Sequence, residues 1–379
     1  MPALTPFNGS NGSNGSNGSN GSNGSNGSNM ADVTNGLAAY AATIVNPLLT
    51  SALIQSRGAL VSGVGVTLPG FDLPKVWGPS GPTDLPTINS PAQMKRVDAT
   101  TRFWLAHVEL FSGLKFNFVS PDSTEVVSAG KSLVKIKRPS RAKFEKQLGR
   151  VTSWARLRND RMPEILTQVT PQWSFWASVC NLHPATTPFT LELMNCALQF
   201  VMLYTQRIKI CLACPRPIEY STEVQPIVLT PAYATYPMGH AAEAFMFSRV
   251  FAARTNQSPV SPQTVQLDRL ASRIAENRVV AGIHFPVDTA AGFVLAEAMA
   301  EYFVSRCDGA TLISPRTFDG AAFGDSADFL QADVYKGQPP LGTMDTTPQN
   351  QWVADKSDLL NWLWVKAGKE LKAQGYPVV

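Results

Sequence analysis

Arg278-Val279-Val280-Ala281-Gly282-Ile283-His284-Phe285-Pro286-Val287-Asp288 joins two helical patterns and carries three ionisable side chains in eleven residues. Upstream of it, Leu267, Leu270, Ala271 and Ile274 recur at helical spacing on one apolar face, and Arg278 falls on that face one turn later. A guanidinium aimed at a core needs an anion, because desolvating it unpaired costs on the order of several kcal/mol. Either an acidic side chain or a bound anionic ligand has to meet it. Gly282 loosens the helix before His284, and Pro286 suits the first turn of a new helix with Asp288 close behind. The spacing lets Asp288 reach back to one imidazole nitrogen of His284, leaving the other for a nucleophilic or ligand role.

Two upstream stretches add to this constellation. A helix over 191 to 209 carries Glu192, Asn195, Gln199 and Gln206 on one stripe and Met194, Ala197, Leu198, Val201, Thr205 and Ile208 on the other. Lys209 continues the Val201, Thr205 row, so it leaves a buried helix end. Arg216-Pro217 follows, and after a Pro-rich loop Tyr236-Pro237-Met238-Gly239-His240 opens a helix rich in Ala and Phe. His240, Ala244, Phe247 and Phe251 share one face of that helix, which points His240 inward at its N-terminus. Free N–H groups there, with Gly239 permitting close approach, form an anion site. Three permanent cations, two histidines and a helix N-terminus suit a tetrahedral or trigonal-bipyramidal oxyanion.

The order Lys209-x6-Arg216-Pro217, Pro237-Met238-Gly239-His240, Arg278-x5-His284-x3-Asp288 resembles the three-part motif shared by vanadium-dependent haloperoxidases and the type 2 phosphatidic acid phosphatase superfamily. The match covers 80 of the 379 residues. It implies a mainly α fold of helical bundles, with the oxyanion site within the C-terminal bundle. It also implies roles. His284 would bind vanadium directly, or attack phosphorus, with Asp288 orienting it. Lys209, Arg216, Arg278 and the Gly239 N–H would hold the oxygens of vanadate or of phosphate in its place, and His240 would shuttle a proton. Tyr233 occupies the place where haloperoxidases carry an aromatic or histidine side chain near the halide. Met238 stands where the family usually has serine, so a hydroxyl donor to the oxyanion is lost.

Three functions remain open on these residues. The first is a vanadate-dependent haloperoxidase that oxidises bromide or iodide with hydrogen peroxide and passes the halogen to a small organic acceptor. About 180 residues lie between Met30 and Lys209, more than a compact phosphatase needs. The second is a phosphomonoesterase with His284 as nucleophile. The third is a protein that holds phosphate or an anionic partner without turnover. Because the motif cations have only Asp288 and the nearby Glu219 and Glu243 as local acids, a purely internal ion-pair network is a weak alternative for them.

The rest of the chain bounds these readings. With 44% hydrophobic and 16% charged residues the chain can bury a large core, in one or two domains, and its net charge of +4 points to no particular partner. The longest apolar stretches, 191 to 204 and 289 to 304, are interrupted by Glu192, Asn195, Glu297 and Glu301, so no membrane span is expected. Residues 1–29 are an Asn-Gly-Ser repeat leader expected to be disordered, with Met30 as an alternative start. No signal peptide is visible, and five cysteines favour reduced thiols in a cytoplasm. Cys211 and Cys214 form a Cys-x2-Cys that lacks a second Cys/His pair, and they read as two small buried residues.

The expected regions are 30–187, an N-terminal helical region; 188–307, the motif-bearing bundle; and 308–379, an irregular segment with a C-terminal helix packing back. Residues 31 to 66 read as a helix or helix pair, 67 to 92 as irregular, Ala92 to about Leu114 as helical, and Trp352 to Gln374 as a final helix in which Leu359, Leu360, Leu363 and Val365 pack back. His107, among Phe103, Ala106, Leu110 and Leu114, reads as a core histidine, and His183 as a loop residue. No stretch shows sustained strand alternation. Lys131 to Arg161 holds eleven Lys/Arg against Glu145 and Asp160. With Phe144, Leu148, Val151 and Ala155 as an apolar face, the basic residues read as solvated and not as a nucleic-acid surface, since no aromatic side chains are interleaved to stack on bases. The sequence leaves the oligomeric state open, a homo-oligomer included.

Overall fold

A computed structural model of the chain describes residues 51, 52, 54–56, 87–170, 172–336 and 342–378; all of the expected leader and most of the 31 to 66 helix pair and of the irregular 67 to 92 stretch lie outside them. The described chain is mainly helical. After a 3-10 turn at Pro91–Arg96 come helix α1 (Ala99–Ser112), strands β1 (Leu114–Ser120), β2 (Ser123–Ser128) and β3 (Lys131–Lys137), and helices α2 (Arg141–Trp154), α3 (Arg158–Thr167) and α4 (Trp173–Cys180). The motif region supplies α5 (Pro188–Leu212), the one-turn α6 (Pro217–Tyr220), α7 (Gly239–Arg254), α8 (Pro262–Val280) and α9 (Pro286–Asp308). Strand β4 (Arg316–Asp319), helix α10 (Gln331–Lys336), strand β5 (Gly342–Met344) and helix α11 (Asp358–Ala373) complete it.

Helix α9 is the axis of the bundle. Almost every residue along it is buried, as befits a helix that is apolar all round. It packs on α7, and α7 packs in turn on α5 and α8. An aromatic column, Trp176 stacked on Phe247 at 4.5 Å and Phe247 on Phe251 at 5.9 Å, fixes α4 against α7. Gly292 lets α9 lie close against the start of α7. A Cβ there would lie 2.5 Å from the Met238 carbonyl oxygen.

The mainly α class holds, but strands overturn the expectation that no stretch alternates. They form one five-stranded sheet in the order β1-β2-β3-β4-β5, antiparallel except for the parallel pair β3 and β4. Val134 and Ile136 face the core while Lys135 and Lys137 alternate with them, a period of two concealed within a block of charge. The β2–β3 hairpin turns on Ala129 and Gly130, both at positive φ, the backbone of a tight hairpin without its usual Asn-Gly signature. The segment expected to be irregular after residue 308 contributes two of the five strands, so the sheet unites the chain on either side of the motif helices.

Several local expectations are adjusted in the same way. The polar stripe of α5 is buried in its first half: Glu192 and Asn195 are buried, Gln199 and Gln206 are partly exposed, and Glu192 accepts from Nε and Nη2 of Arg102 at 2.7 and 2.8 Å. The helical reading of 92 to 114 is broken at Val97 and Asp98, where Asp98 caps α1 through the Thr101 N–H. The final helix starts at Asp358, because Trp352 is paired in a bridge with Ile313, and Val365 faces solvent while Leu360 and Leu363 are buried. Basic residues of 131–161 are largely tied to the protein. Lys143 and Lys146 meet Asp325, Arg150 meets Asp328, and Arg161 meets Glu276. No helix among the described residues is long and apolar enough to cross a membrane.

Candidate oxyanion site

The end of α8, the start of α9, the end of α5 and the N-terminus of α7 converge on one buried polar cluster, called the pocket below. Helix α8 stops at Val280, and Gly282 at φ +85 reverses the chain into His284 and the Pro286 turn. Arg158 clamps this reversal by donating to the carbonyls of Val280, Val224 and Gln225 at 2.8 to 2.9 Å. At the other side, the Met238 N–H donates to the Asp288 carbonyl at 2.9 Å, and the Tyr236 hydroxyl donates to the Lys137 carbonyl at 2.8 Å. The sheet therefore buttresses the loop that enters α7.

His284 and Asp288 meet as their spacing requires. Asp288 Oδ2 lies 2.8 Å from His284 Nδ1 and also accepts the Phe285 N–H at 3.0 Å and the Thr235 hydroxyl. On the other ring face, Nη1 of Arg216 lies 2.9 Å from Nε2. A guanidinium only donates, so Nε2 carries the lone pair and Nδ1 the proton. This is the tautomer with which an imidazole coordinates or attacks. Burial first, and then the charges of Arg216 and Lys209, hold the His284 pKa well below its ordinary value. Burial pushes Asp288 up to about 6.

All three motif cations are buried, at 1% exposure each. Lys209 donates to the carbonyls of Ala234 and Thr235 at 2.8 and 2.7 Å, Arg216 to those of Tyr233 and Ile283 at 2.9 Å, and Arg278 to that of Ile165 at 2.7 Å. Among the described residues none of the three has a carboxylate within 4 Å; the ion pairs of the protein lie elsewhere. Nη2 of Arg216, Nε of Arg278 and Oδ1 of Asp288 are buried without a hydrogen-bond partner. Glu219, a sequence-stretch neighbour that could have neutralised Arg216, caps its backbone N–H at 2.6 Å instead.

His240 begins α7 half-buried, with Nε2 bonded to the Gln168 carbonyl at 2.9 Å. Nδ1 is then the basic nitrogen. Burial and the charge of Arg278 bring its pKa down to about 3, so the ring is neutral across the physiological range. The first-turn N–H groups of α7, at Gly239 and His240, have no intrahelical acceptor and add partial positive charge to the pocket. Tyr233 is 48% exposed, with its ring over Lys209 Nζ at 5.3 Å and over the Arg216 guanidinium at 5.1 Å, which puts it at the rim of the cationic group. Met238 is fully buried and its sulfur accepts from the Thr289 hydroxyl at 3.7 Å, so this side chain is directed at α9.

Sequence reasoning missed Thr235, which binds Asp288 and whose carbonyl receives Lys209, and Gln168, which orients His240. Neither has a motif signal; each is placed by the tertiary fold. His107 is buried with Nδ1 on the Phe103 carbonyl, and His183 is an exposed loop residue, as their sequence context indicates. Cys214 is buried with its thiol pushed up to about 12, consistent with a packing role, while Cys211 is only partly buried. No group of three or more His, Cys, Asp or Glu side chains among the described residues gathers to hold a metal cation. The donors of this pocket are positively charged, and what they can hold is an anion. No protein-family model matches the chain, and no curated protein matches it.

Proposed function

We propose that the pocket binds vanadate and that the protein is a vanadium-dependent haloperoxidase, oxidising bromide or iodide with hydrogen peroxide. The observation that carries this reading is three wholly buried cations without a carboxylate partner, gathered around an imidazole whose Nε2 lone pair is held toward them. An uncompensated buried cation costs on the order of several kcal/mol, and a bound tetrahedral anion offsets three such costs at once. The unpartnered Nη2 of Arg216 and Nε of Arg278 are the donors that fit its oxygens.

Vanadate, when bound, supplies the Lewis-acid centre at which peroxide becomes an oxidant of halide. His284 would hold it through Nε2, while Asp288, fixed by Thr235 and the Phe285 N–H, keeps the proton on Nδ1. Lys209, Arg216, Arg278 and the Gly239 N–H would neutralise its oxygens. His240, neutral and anchored through Nε2 on Gln168, offers Nδ1 to accept a proton from peroxide. Tyr233 at the rim would border the halide.

The deciding experiment is a pair of assays on purified protein, alongside metal analysis. Bromide oxidation that depends on added orthovanadate and peroxide supports the proposal. Turnover of a chromogenic phosphate ester without bromide oxidation would replace it with the phosphatase reading, and tight phosphate binding with neither activity would replace it with a non-catalytic anion-binding role.

A further inference from the structure

Glu243 stands one turn beyond Gly239 on α7, and its side chain folds back toward the N-terminus of that helix. Oε1 lies 3.9 Å from the position a Cβ at residue 239 would take, a position that is 4.0 Å from the Thr205 methyl group. Thr205 precedes Lys209 by one turn of α5, so the carboxyl lies along the row that delivers Lys209 to the pocket. Glu243 is half-buried, and among the described residues no hydrogen bond or ion pair within 4 Å reaches it. Burial raises it to about 7, and only the charge of Lys209 opposes that.

Resting on the oxyanion reading of the site, we infer that Glu243 is a further binding residue of the pocket, one that admits a tetrahedral dianion only as the neutral acid and then donates its proton to a ligand oxygen. The physical reason is charge. As a carboxylate it offsets part of the positive charge of Lys209 and the neighbouring cations. A dianion brought against the Gly239 N–H meets that carboxylate as a like charge, and like charges at this range shift a carboxyl towards its protonated form. Protonated, it changes from a pure acceptor into an O–H donor. The proton comes from solvent, so binding takes up a proton wherever free Glu243 is ionised, and affinity for a dianion falls about tenfold per pH unit above that point.

Other charged groups face the same pocket and must be separated from it. They are Lys209 on α5, His240 on α7, Arg278 at the end of α8, Arg216, and the His284 and Asp288 pair. Lys209 is the serious rival, because burial and Arg216 lower its pKa and it too could take up a proton on binding.

Sulfate is a suitable probe, since it is a tetrahedral dianion that does not titrate in the working range. Its affinity for the parent and for Glu243→Gln would be measured by calorimetry from pH 6 to pH 9, in two buffers of different ionisation enthalpy. The expected result is about one proton taken up by the parent at pH 8 and fewer at pH 6, with affinity falling about tenfold per unit at the alkaline end. Glu243→Gln, whose amide still donates, should keep the pH 6 affinity and lose the slope. A slope kept in Glu243→Gln assigns the proton to Lys209 and overturns the inference, as does a parent with no proton uptake at pH 8. If Glu243→Gln does not fold, Glu243→Asp separates the rivals: uptake carried by the carboxyl shifts to lower pH with the more acidic side chain, and uptake that does not shift assigns the proton to Lys209 and overturns the inference. Sulfate that binds nowhere in this range, or binds His284→Ala and the parent alike, overturns the oxyanion reading itself and this inference with it.

Discussion

Arg216 and His284 are hydrogen-bonded directly, Nη1 to Nε2 at 2.9 Å, so the nitrogen proposed to meet the ligand is already engaged by one of the cations proposed to hold it. The contact settles the tautomer of His284 before any ligand arrives. It also means that binding exchanges a guanidinium–imidazole bond for a guanidinium–oxyanion bond, which is the stronger of the two because both partners are charged.

Replacing Arg216 with Gln should therefore weaken oxyanion binding by about tenfold to a hundredfold, corresponding to a charge-assisted bond of about 1.5 to 3 kcal/mol. It should also raise the His284 pKa, since Arg216 is the leading charge that lowers it after burial. Vanadate titration checks the first effect and nitrogen NMR of the imidazole the second. An unchanged imidazole spectrum would show that the two side chains are apart in solution.

His284→Ala should abolish any vanadate-dependent turnover and leave the far-ultraviolet helical signal intact. Phosphate should stabilise the parent and compete with vanadate, because one cationic pocket takes both. At a hundredfold excess over its dissociation constant a ligand adds about 2.7 kcal/mol to stability, enough to raise the melting temperature by a few degrees. His284→Ala should show a smaller rise, and thermal melts with and without phosphate measure the difference.

The pH dependence of stability tests His240. Its pKa is about 3 in the folded protein against 6.5 for the free side chain, so between those values the unfolded chain binds more protons there. That contribution makes stability rise with pH across the window and fade as pH falls through it. Asp288, with its pKa raised to about 6, contributes in the opposite sense between about 4 and 6, so the useful quantity is a difference. Relative to the parent, His240→Gln should become steadily more favourable from pH 7 to pH 4 in denaturant melts. A difference that does not vary with pH would place His240 in water.

Met238→Ser separates the two roles of the residue before Gly239. Its sequence position led to the expectation that a serine hydroxyl there would donate to the oxyanion, whereas the Met238 sulfur sits 3.7 Å from the Thr289 hydroxyl and is fully buried. The substitution should then cost about 2 to 5 kcal/mol of stability, as for other large-to-small changes in a core, and alter phosphate affinity by less than tenfold. Affinity that rises tenfold or more would mean that residue 238 reaches the ligand.

The site was more legible than the fold around it, and the reason is spacing. His284 and Asp288 lie one helical turn apart, and Arg278 continues a row of apolar residues, so helix geometry alone predicts that they are buried together. Thr235 and Gln168 could not be found that way, because they come from a loop and a helix end that only tertiary packing brings to the pocket. The strands were hidden by composition: Lys131, Lys135 and Lys137 made β3 look like part of a basic segment, and the alternation of Val134 and Ile136 was too short to stand out. Glu192 was legible only as the acid that interrupts an apolar stretch, because its partner Arg102 lies ninety residues away in the sequence.

The parallel pairing of β3 with β4, Val134 opposite Arg316, joins residues separated by the entire motif region. During synthesis β3 emerges with one edge open, and its partner does not exist until all of α5 to α9 has been made. An open strand edge is a template for pairing with another chain. Contacts between residues so distant in sequence also form late, since the loop they close is long. The nascent protein must therefore carry an exposed hydrogen-bonding edge through most of its own translation, and a chain cut after Asp308 would keep that edge permanently. Such a fragment would hold every residue of the candidate site and still present an unpaired strand edge, so the last seventy residues cover β3 without adding a side chain to the proposed oxyanion ligands.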